Sequence, residues 1–443
     1  MRLTSHESWG RYPSARQEVI PLNWSKDSWP ATEKKVLPRG LGRSYGDCCL
    51  NDDGVLLETT PLDRLLDFNP STGILTCESG VTLAEIIRVF SPRGYFPPVV
   101  PGTKFVTVGG AIANDVHGKN HHQAGTFGCH VKSLALRRSS GEILACSAES
   151  NPELFAATIG GLGLTGVILR AEIILKPIAS SVIEVESVRF EDFDSFWDLA
   201  VASEQTYEYT VAWMDCLPGR PCRGLFLRGD HADGEPGIPV SAPAAIADSL
   251  FEVPDVIPDF LLNSWTMRAF NFAYFHRQTS RLSRKRVGVD PFFFPLDAVG
   301  SWNRLYGTRG FLQHQCVIPQ DENRSSARRI LGYIKGCSDR VFCSLAVVKT
   351  FGDRRSPGIL SFPRKGITFA LDFPADRRET FALLDRIDGI VRDSGGAIYP
   401  AKDARMSPET FRASFPRWKE FARQIDPAFS SGFWRRVCGK DEG

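Results

Sequence analysis

Pro101-Gly-Thr-Lys-Phe-Val-Thr-Val-Gly-Gly110, continuing as Ala111-Ile-Ala-Asn-Asp-Val-His-Gly118, is the stretch on which the fold turns. Glycine lets backbone N–H groups approach a phosphate and point at it without side-chain interference. Two further clusters flank this one: Arg39-Gly-Leu-Gly-Arg-Ser-Tyr-Gly-Asp47 and Gly160-Gly-Leu-Gly-Leu-Thr-Gly166. One cluster is usually a set of turns. Three between residues 39 and 166, each carrying Ser, Thr or Asn, argue for a large anionic cofactor. The third contains a literal G-x-G-x-x-G at Gly161, Gly163 and Gly166, but its context is inverted. A dinucleotide fingerprint follows a strand and opens a helix; here a helical pattern precedes it and a β-run follows. That excludes a nicotinamide site.

Around these clusters, residues 36–177 alternate short β-rich runs (Gly54–Glu58, Ile74–Cys77, Ser133–Arg137, Val167–Leu175) with helical patterns at Thr82–Phe90 and Pro152–Thr158. Beyond about Ser180 the glycines thin out. Longer alternating runs appear at Ser181–Phe190, Gly310–Ile318, Cys343–Phe351 and Gly366–Phe373, with helical patterns at Ser325–Ile334 and Thr380–Asp388. The expected fold is therefore α+β, with an antiparallel sheet covered by helices on one face. The expected division is 1–180, 181–396 with a mobile insertion at about 223–286, and 397–443 returning to the first domain.

Composition removes several function classes. With 42% hydrophobic and 23% charged residues the chain reads as globular, and 53 basic against 51 acidic side chains give a net charge of +2. Nucleic-acid binding leans on a strongly basic surface, which this balance does not supply. The N-terminal text has no apolar core, so no cleaved signal peptide is expected. The longest uncharged stretch, Leu154 to Leu169, falls short of the roughly 20 residues a membrane span needs. Eleven cysteines without a CxxC pair read as free thiols.

The motifs then become specific. R-G-x-G-R-S-Y-G-D, P-G-T-x3-T-V-G-G-A-I-A-x-D-x-H-G-K-N-H-H and G-G-x-G-L-T-G-V-I resemble the FAD domain of the vanillyl-alcohol-oxidase superfamily (PCMH type). The resemblance narrows to its decaprenylphosphoryl-ribose oxidases and continues through Phe311-Leu-Gln-His-Gln315, Val348-Lys-Thr-Phe-Gly352 and Tyr399-Pro-Ala-Lys-Asp-Ala-Arg405. It spans nearly the whole chain in order and is weakest over 219–290.

The resemblance implies a two-domain PCMH-type fold with an antiparallel-sheet substrate domain. It implies that Arg39, Gly40, Gly42, Arg43, Ser44, Tyr45, Gly46, Asp47 and Cys48 wrap the FAD pyrophosphate. Gly102, Thr107, Val108, Gly109 and Gly110 would continue the cradle, and Asn114, His117, Ile168 and Tyr399 would line the flavin. Lys119, Phe293, Gln313, Gln315, Lys349, Ala370 and Lys402 are implied on the substrate side, with Lys402, His117 and Tyr45 as catalytic candidates. Many relatives bind flavin covalently through a histidine; Arg43 stands at that position, so non-covalent FAD is expected. Two departures, Ala370 for a cysteine and Phe293 for a tyrosine, make the expected pocket wall less polar.

The residues themselves leave choices open. His117 reads as flavin-facing, as a surface-turn histidine, or as a metal ligand with His121 and His122, although no metal site is expected. Lys402 reads as a solvated lysine, as a cation for an anionic flavin, or as a base. The implied reaction is oxidation of the C2 hydroxyl of a polyprenyl-phosphoryl ribose to the 2-keto sugar, which a partner short-chain reductase completes to the arabinose epimer used in cell-envelope polysaccharide. A soluble sugar-alcohol or aldonolactone oxidase, or a flavin-binding scaffold docking a reductase, are the alternatives. The apolar text from Phe251 to Phe275 with Arg281, Arg284, Lys285 and Arg286 suits a peripheral membrane contact or a partly ordered insertion. A cytoplasmic or membrane-peripheral location is expected.

Overall fold

The computed structural model describes residues 6–234, 251–254, 262–321, 324–337, 341–375 and 378–439. The alternating runs become strands close to where the sequence places them. Leu65–Asn69, Ile74–Glu78, Val167–Ile174, Val131–Arg137 and Ile143–Ser147 form a five-stranded sheet in that order, antiparallel throughout. Glu18–Pro21, Val55–Glu58 and Val36–Arg39 form a small parallel sheet beside it.

An eight-stranded antiparallel sheet takes up the second half of the chain. Its order is Leu282–Gly288, Val182–Phe190, Gly224–His231, Tyr209–Met214, Leu345–Phe351, Gly366–Pro374, Phe311–Ile318 and Ala397–Ile398. Successive side chains of a strand face opposite sides, and here the two sides differ in chemistry. Leu312 and Cys316, Ala346 and Val348, and Phe369, Leu371 and Phe373 pack under the helices Phe193–Ser203, Ser325–Lys335 and Arg378–Asp393. The intervening residues, Gln313 and Gln315, Val347 and Lys349, and Ala370, line a cavity on the opposite face. The register sets Gln313 beside Asp372, Gln315 beside Ala370, and Lys349 beside Thr368. Helices thus cover one face, and the other is free for chemistry.

The expected insertion at 223–286 needs narrowing. Gly224–His231 is an interior strand of the large sheet and Leu282–Gly288 is its edge. Regular pairing on both sides of Gly224–His231 is incompatible with an inserted loop. Of the apolar text there, 255–261 lie outside the described residues. The helix Ser264–His276 follows, started by a capping box at Asn263. Its buried strip, Ser264, Asn271 and Phe275, docks it, with Asn271 Nδ2 donating to Asp215 at 2.8 Å. The flank of that strip leaves Trp265 and Phe272 exposed at 76% and 54%.

The residues after Ala397 make contacts in both directions. Ala397–Ile398 closes the large sheet, whereas Ser430 N–H donates to Val36 O and Gly432 N–H to Leu50 O. All eleven cysteines are free. No helix among the described residues is long and apolar enough to cross a membrane.

Candidate active site

A cavity of about 550 Å³ lies between the glycine loops and the polar face of the large sheet. Such a volume falls within the range of small-molecule and cofactor sites. Two loops meet at one end. A Cβ on Gly40 would lie 2.4 Å from Thr107 Oγ1, and one on Gly109 would lie 2.9 Å from Ser79 Cβ, so only glycine permits this approach. Gly42 adopts φ +61° in the same turn. Thr107 caps the short helix Val108–Ala113, its hydroxyl accepting from Gly110 N–H at 3.1 Å. The helix ends at Asn114 and Asp115, the latter at φ +41°. The Asp115 carboxylate accepts from Gly128 N–H at 2.9 Å and from Ser361 Oγ at 2.6 Å. This fixes the strained corner from which Asn114 and His117 enter the cavity.

The glycine end fits a large polar cofactor. Arg39 Nε, Ser79 Oγ and Asn114 Oδ1 are buried without a hydrogen-bond partner among the described residues, and all three side chains belong to the cavity wall. Buried polar atoms are normally satisfied; three orphans around one cavity mark the place of a ligand that satisfies them. A Cβ on Gly102 would meet nothing within 4 Å, so that wall has room as well.

The other end gathers basic side chains. His117, only 7% exposed, sits among Phe351, Tyr399 and Phe362 with ring centroids 4.8, 5.5 and 6.0 Å away. That removes the surface-turn option. Gln315 Nε2 lies 2.8 Å from His117 Nε2, and Lys349 Nζ lies 3.3 Å from His117 Nδ1. With the Gln315 amide donating, the ring proton sits on Nδ1 and faces a neutral Lys349 amine. Burial, with repulsion from Lys119 and Lys402, brings the Lys349 amine down to about 7, and burial likewise keeps His117 neutral. His121 instead packs on Phe351 at 4.4 Å, and His122 Nε2 reaches Tyr207 O at 2.9 Å. His117 and His121 thus share the Phe351 ring, while His122 turns to a backbone carbonyl.

Lys402 is half-buried on the cavity wall, its Nζ 3.6 Å from the centre of the Tyr45 ring. Burial lowers its proton affinity, and attraction to Asp372 opposes that loss. Lys402 thus faces the cavity rather than an open surface, and the cation and base readings both remain.

Most of the expected site residues line this cavity, but five do not. Asp47 is held by Arg436 through bonds of 2.9 and 2.7 Å, and Arg436 also bonds Asp403 at 2.8 Å. Gly46 packs on the Asp403 carbonyl, where a Cβ would come within 1.8 Å. Val108 is buried in the helix. Lys119 Nζ donates to Phe293 O at 3.0 Å, and Phe293 is fully buried in the apolar core, so both lie behind the wall. Conversely, Trp9, Asp297, Trp302, Leu345 and Val347 line the cavity without having been expected. For Leu345 and Val347 the alternation with Lys349 was the available signal. Trp9 carried none: its ring lies 4.2 Å under the Arg43 guanidinium, a contact between distant segments.

Residues 29–147 match the family model of an FAD binding domain. The decaprenylphosphoryl-beta-D-ribose oxidase of Mycolicibacterium smegmatis is 36% identical, with 91% of this chain and 89% of that protein covered. An uncharacterized protein in the mprA 5' region of Streptomyces coelicolor is 32% identical over 81% of this chain and all of that one. The D-arabinono-1,4-lactone oxidase of Candida glabrata is 25% identical over 49% of this chain and 43% of its own. Such identity along nearly the whole length, together with the glycine cradle and its unsatisfied polar atoms, settles the family: the chain belongs to the decaprenylphosphoryl-β-D-ribose oxidases and is an FAD-dependent oxidoreductase.

Proposed function

We propose that the protein oxidises the C2 hydroxyl of a polyprenyl-phosphoryl-β-D-ribose to the 2-keto sugar, the first half of an epimerisation completed by a separate reductase. The observation that carries this reading is the half-buried pair of low-affinity lysines, Lys349 and Lys402, on a wall that also presents Gln313 and Gln315. Bound FAD supplies the hydride acceptor. The protein orients the sugar and removes a proton. Gln313, Gln315 and Lys349 offer donors and acceptors on one pleated face, which suits adjacent sugar hydroxyls. Lys402, made a weaker base by burial, takes the C2 hydroxyl proton in its neutral form. His117, kept neutral between Gln315 and Lys349, holds the wall in register. Tyr45, buried under Lys402, keeps water from that amine.

Anaerobic mixing of the purified protein with a prenyl-phosphoryl ribose tests this reading. The yellow flavin should bleach, and free pentoses or aldonolactones should leave it oxidised. Bleaching by free sugars alone would favour a soluble sugar oxidase. A flavin that neither class bleaches would favour a scaffold.

Non-covalent attachment is part of the proposal. Arg43 is pinned by Trp9 and by Nε donation to Phe105 O at 3.2 Å, and a guanidinium forms no bond to flavin carbon. Acid precipitation should leave a colourless pellet with FAD in the supernatant. A yellow pellet contradicts it.

A prenyl chain also requires a membrane contact, and here the structure redirects the expectation from charge to aromatic surface. Arg284 is paired with Glu186 at 2.7 Å and Arg286 with Glu184 at 2.6 Å across the edge of the sheet, which cancels much of that basic run. Trp265 and Phe272, about two helical turns apart and exposed, present the apolar surface instead. Liposome binding should fall severalfold in Trp265→Ser/Phe272→Ser, and less in Arg284→Gln/Lys285→Gln/Arg286→Gln. The reverse ranking would place the contact on the basic strand.

A further inference from the structure

The sheet face that lines the cavity continues beyond it. Strand register sets Gln315, Ala370, Val347, Trp213, Leu225 and Arg189 side by side across neighbouring strands. Directly paired residues share a face, so this row runs from the polar cavity wall onto apolar ground. Gln315, Ala370 and Val347 belong to the cavity, and so does Leu345. Trp213 and Leu225 form a small apolar cluster with Phe275 of the helix Ser264–His276, and Arg189 lies 4.2 Å over the Phe275 ring. Leu345 and Tyr274, each half-buried, pack against that cluster. The Tyr274 ring meets Trp213 edge-on at 4.7 Å and stacks on Phe270 at 5.8 Å, and Phe270 is 55% exposed. A continuous chain of apolar contacts therefore leads from Leu345 on the cavity wall to the exposed side of the helix.

We propose that this strip seats the prenyl chain of the substrate, which leaves the cavity over Val347 and Leu345 and runs along Tyr274 and Phe270. The inference rests on the reading in which the substrate carries such a chain, and it adds where the chain lies. Continuity identifies the occupant. A ligand whose polar head meets Gln313, Gln315 and Lys349 finds an apolar wall at Leu345 and Val347 within the same cavity. A free sugar leaves that wall wet. An apolar tail removes it from water, and burial of apolar area is the favourable term. The direction also fits the bilayer contact, because the strip ends on the helix that presents Trp265 and Phe272. A chain lying there passes from membrane to cavity along protein surface and never crosses open water.

The test is calorimetric titration of the FAD-loaded protein with dimethylallyl phosphate, which has one isoprene unit, and geranylgeranyl phosphate, which has four. The longer chain should bind at least about tenfold more tightly, a fraction of what burying several methylenes supplies. In Leu345→Thr and in Phe270→Ser that advantage should shrink by at least about fourfold, the worth of one buried methylene. Phe270 is exposed, so its variant reads the seat even if Leu345→Thr fails to fold. Equal affinity for the two phosphates overturns the proposal, and it is the result expected if another segment of this chain fills the strip. An advantage undiminished in Phe270→Ser overturns it as well, because the chain then lies elsewhere. Adhesion to the helix surface alone would leave folded Leu345→Thr at the parental ratio, which also overturns the route. Flavin bleaching separates this inference from the reading beneath it. A protein that prefers the long chain but is not bleached by prenyl-phosphoryl ribose keeps the seat and loses the C2 oxidation. One that is bleached yet binds both phosphates alike keeps the oxidation and loses the seat.

Discussion

Replacing Lys402 with Met is expected to leave FAD bound at the parental ratio and to reduce the rate of substrate-driven bleaching by at least tenfold. A positioned general base contributes about 10²- to 10⁴-fold, and a cation placed beside developing negative charge contributes on a similar scale. Met keeps the length of the side chain and its packing over the Tyr45 ring, where Lys402 Nζ now lies 3.6 Å from the centroid. It removes the proton-carrying group and little else. Burial lowers the proton affinity of Lys402, so the parent should show an ionisation in its bleaching profile well below the ordinary lysine range. That ionisation should vanish in the variant. Stopped-flow bleaching across pH, with the FAD-to-protein absorbance ratio as control, checks both parts. Near-parental bleaching with full FAD would remove Lys402 from the chemistry.

Arg436→Met is expected to destabilise the protein by about 3–5 kcal/mol, the usual consequence of removing one partner from a buried ion pair. Arg436 is the shared partner of Asp47 and Asp403, whose side chains are 8% and 4% exposed. Without it two carboxylates lie buried and face to face. The damage falls on the cofactor loop, because Asp47 directly follows Tyr45 and Gly46, and Gly46 packs on the Asp403 backbone. FAD occupancy should therefore drop along with the melting temperature. Arg436→Lys keeps the charge but loses the forked geometry, so it should fall between the two. Denaturant unfolding of the three proteins reads the difference. A loss below about 1 kcal/mol, the range of a surface pair, would show that this network is solvated and that Asp47 is available for the cofactor after all.

Much of this was legible in the sequence, for reasons that are local. Strands announce themselves by two-residue alternation, and the runs at 310–318, 343–351 and 366–373 became strands with their polar members on a shared face. The glycine loops were legible because a close backbone approach depends on the absence of a Cβ at that position, as Gly40 against Thr107 shows. The cofactor class followed from those loops and their order.

What only the tertiary structure decided is which side chain meets which partner. Asp47 sits in a motif that wraps a cofactor, but an arginine 389 residues away takes its carboxylate. Lys119 follows the histidine motif and yet turns behind the wall to Phe293 O, 174 residues on. Arg284 and Arg286 read as a basic patch until the sheet sets Glu186 and Glu184 beside them. Backbone conformation follows from neighbouring residues, so a short motif specifies it. Charge state and hydrogen-bond partner depend on solvent exclusion and on segments brought together by folding, and no local stretch of sequence contains them.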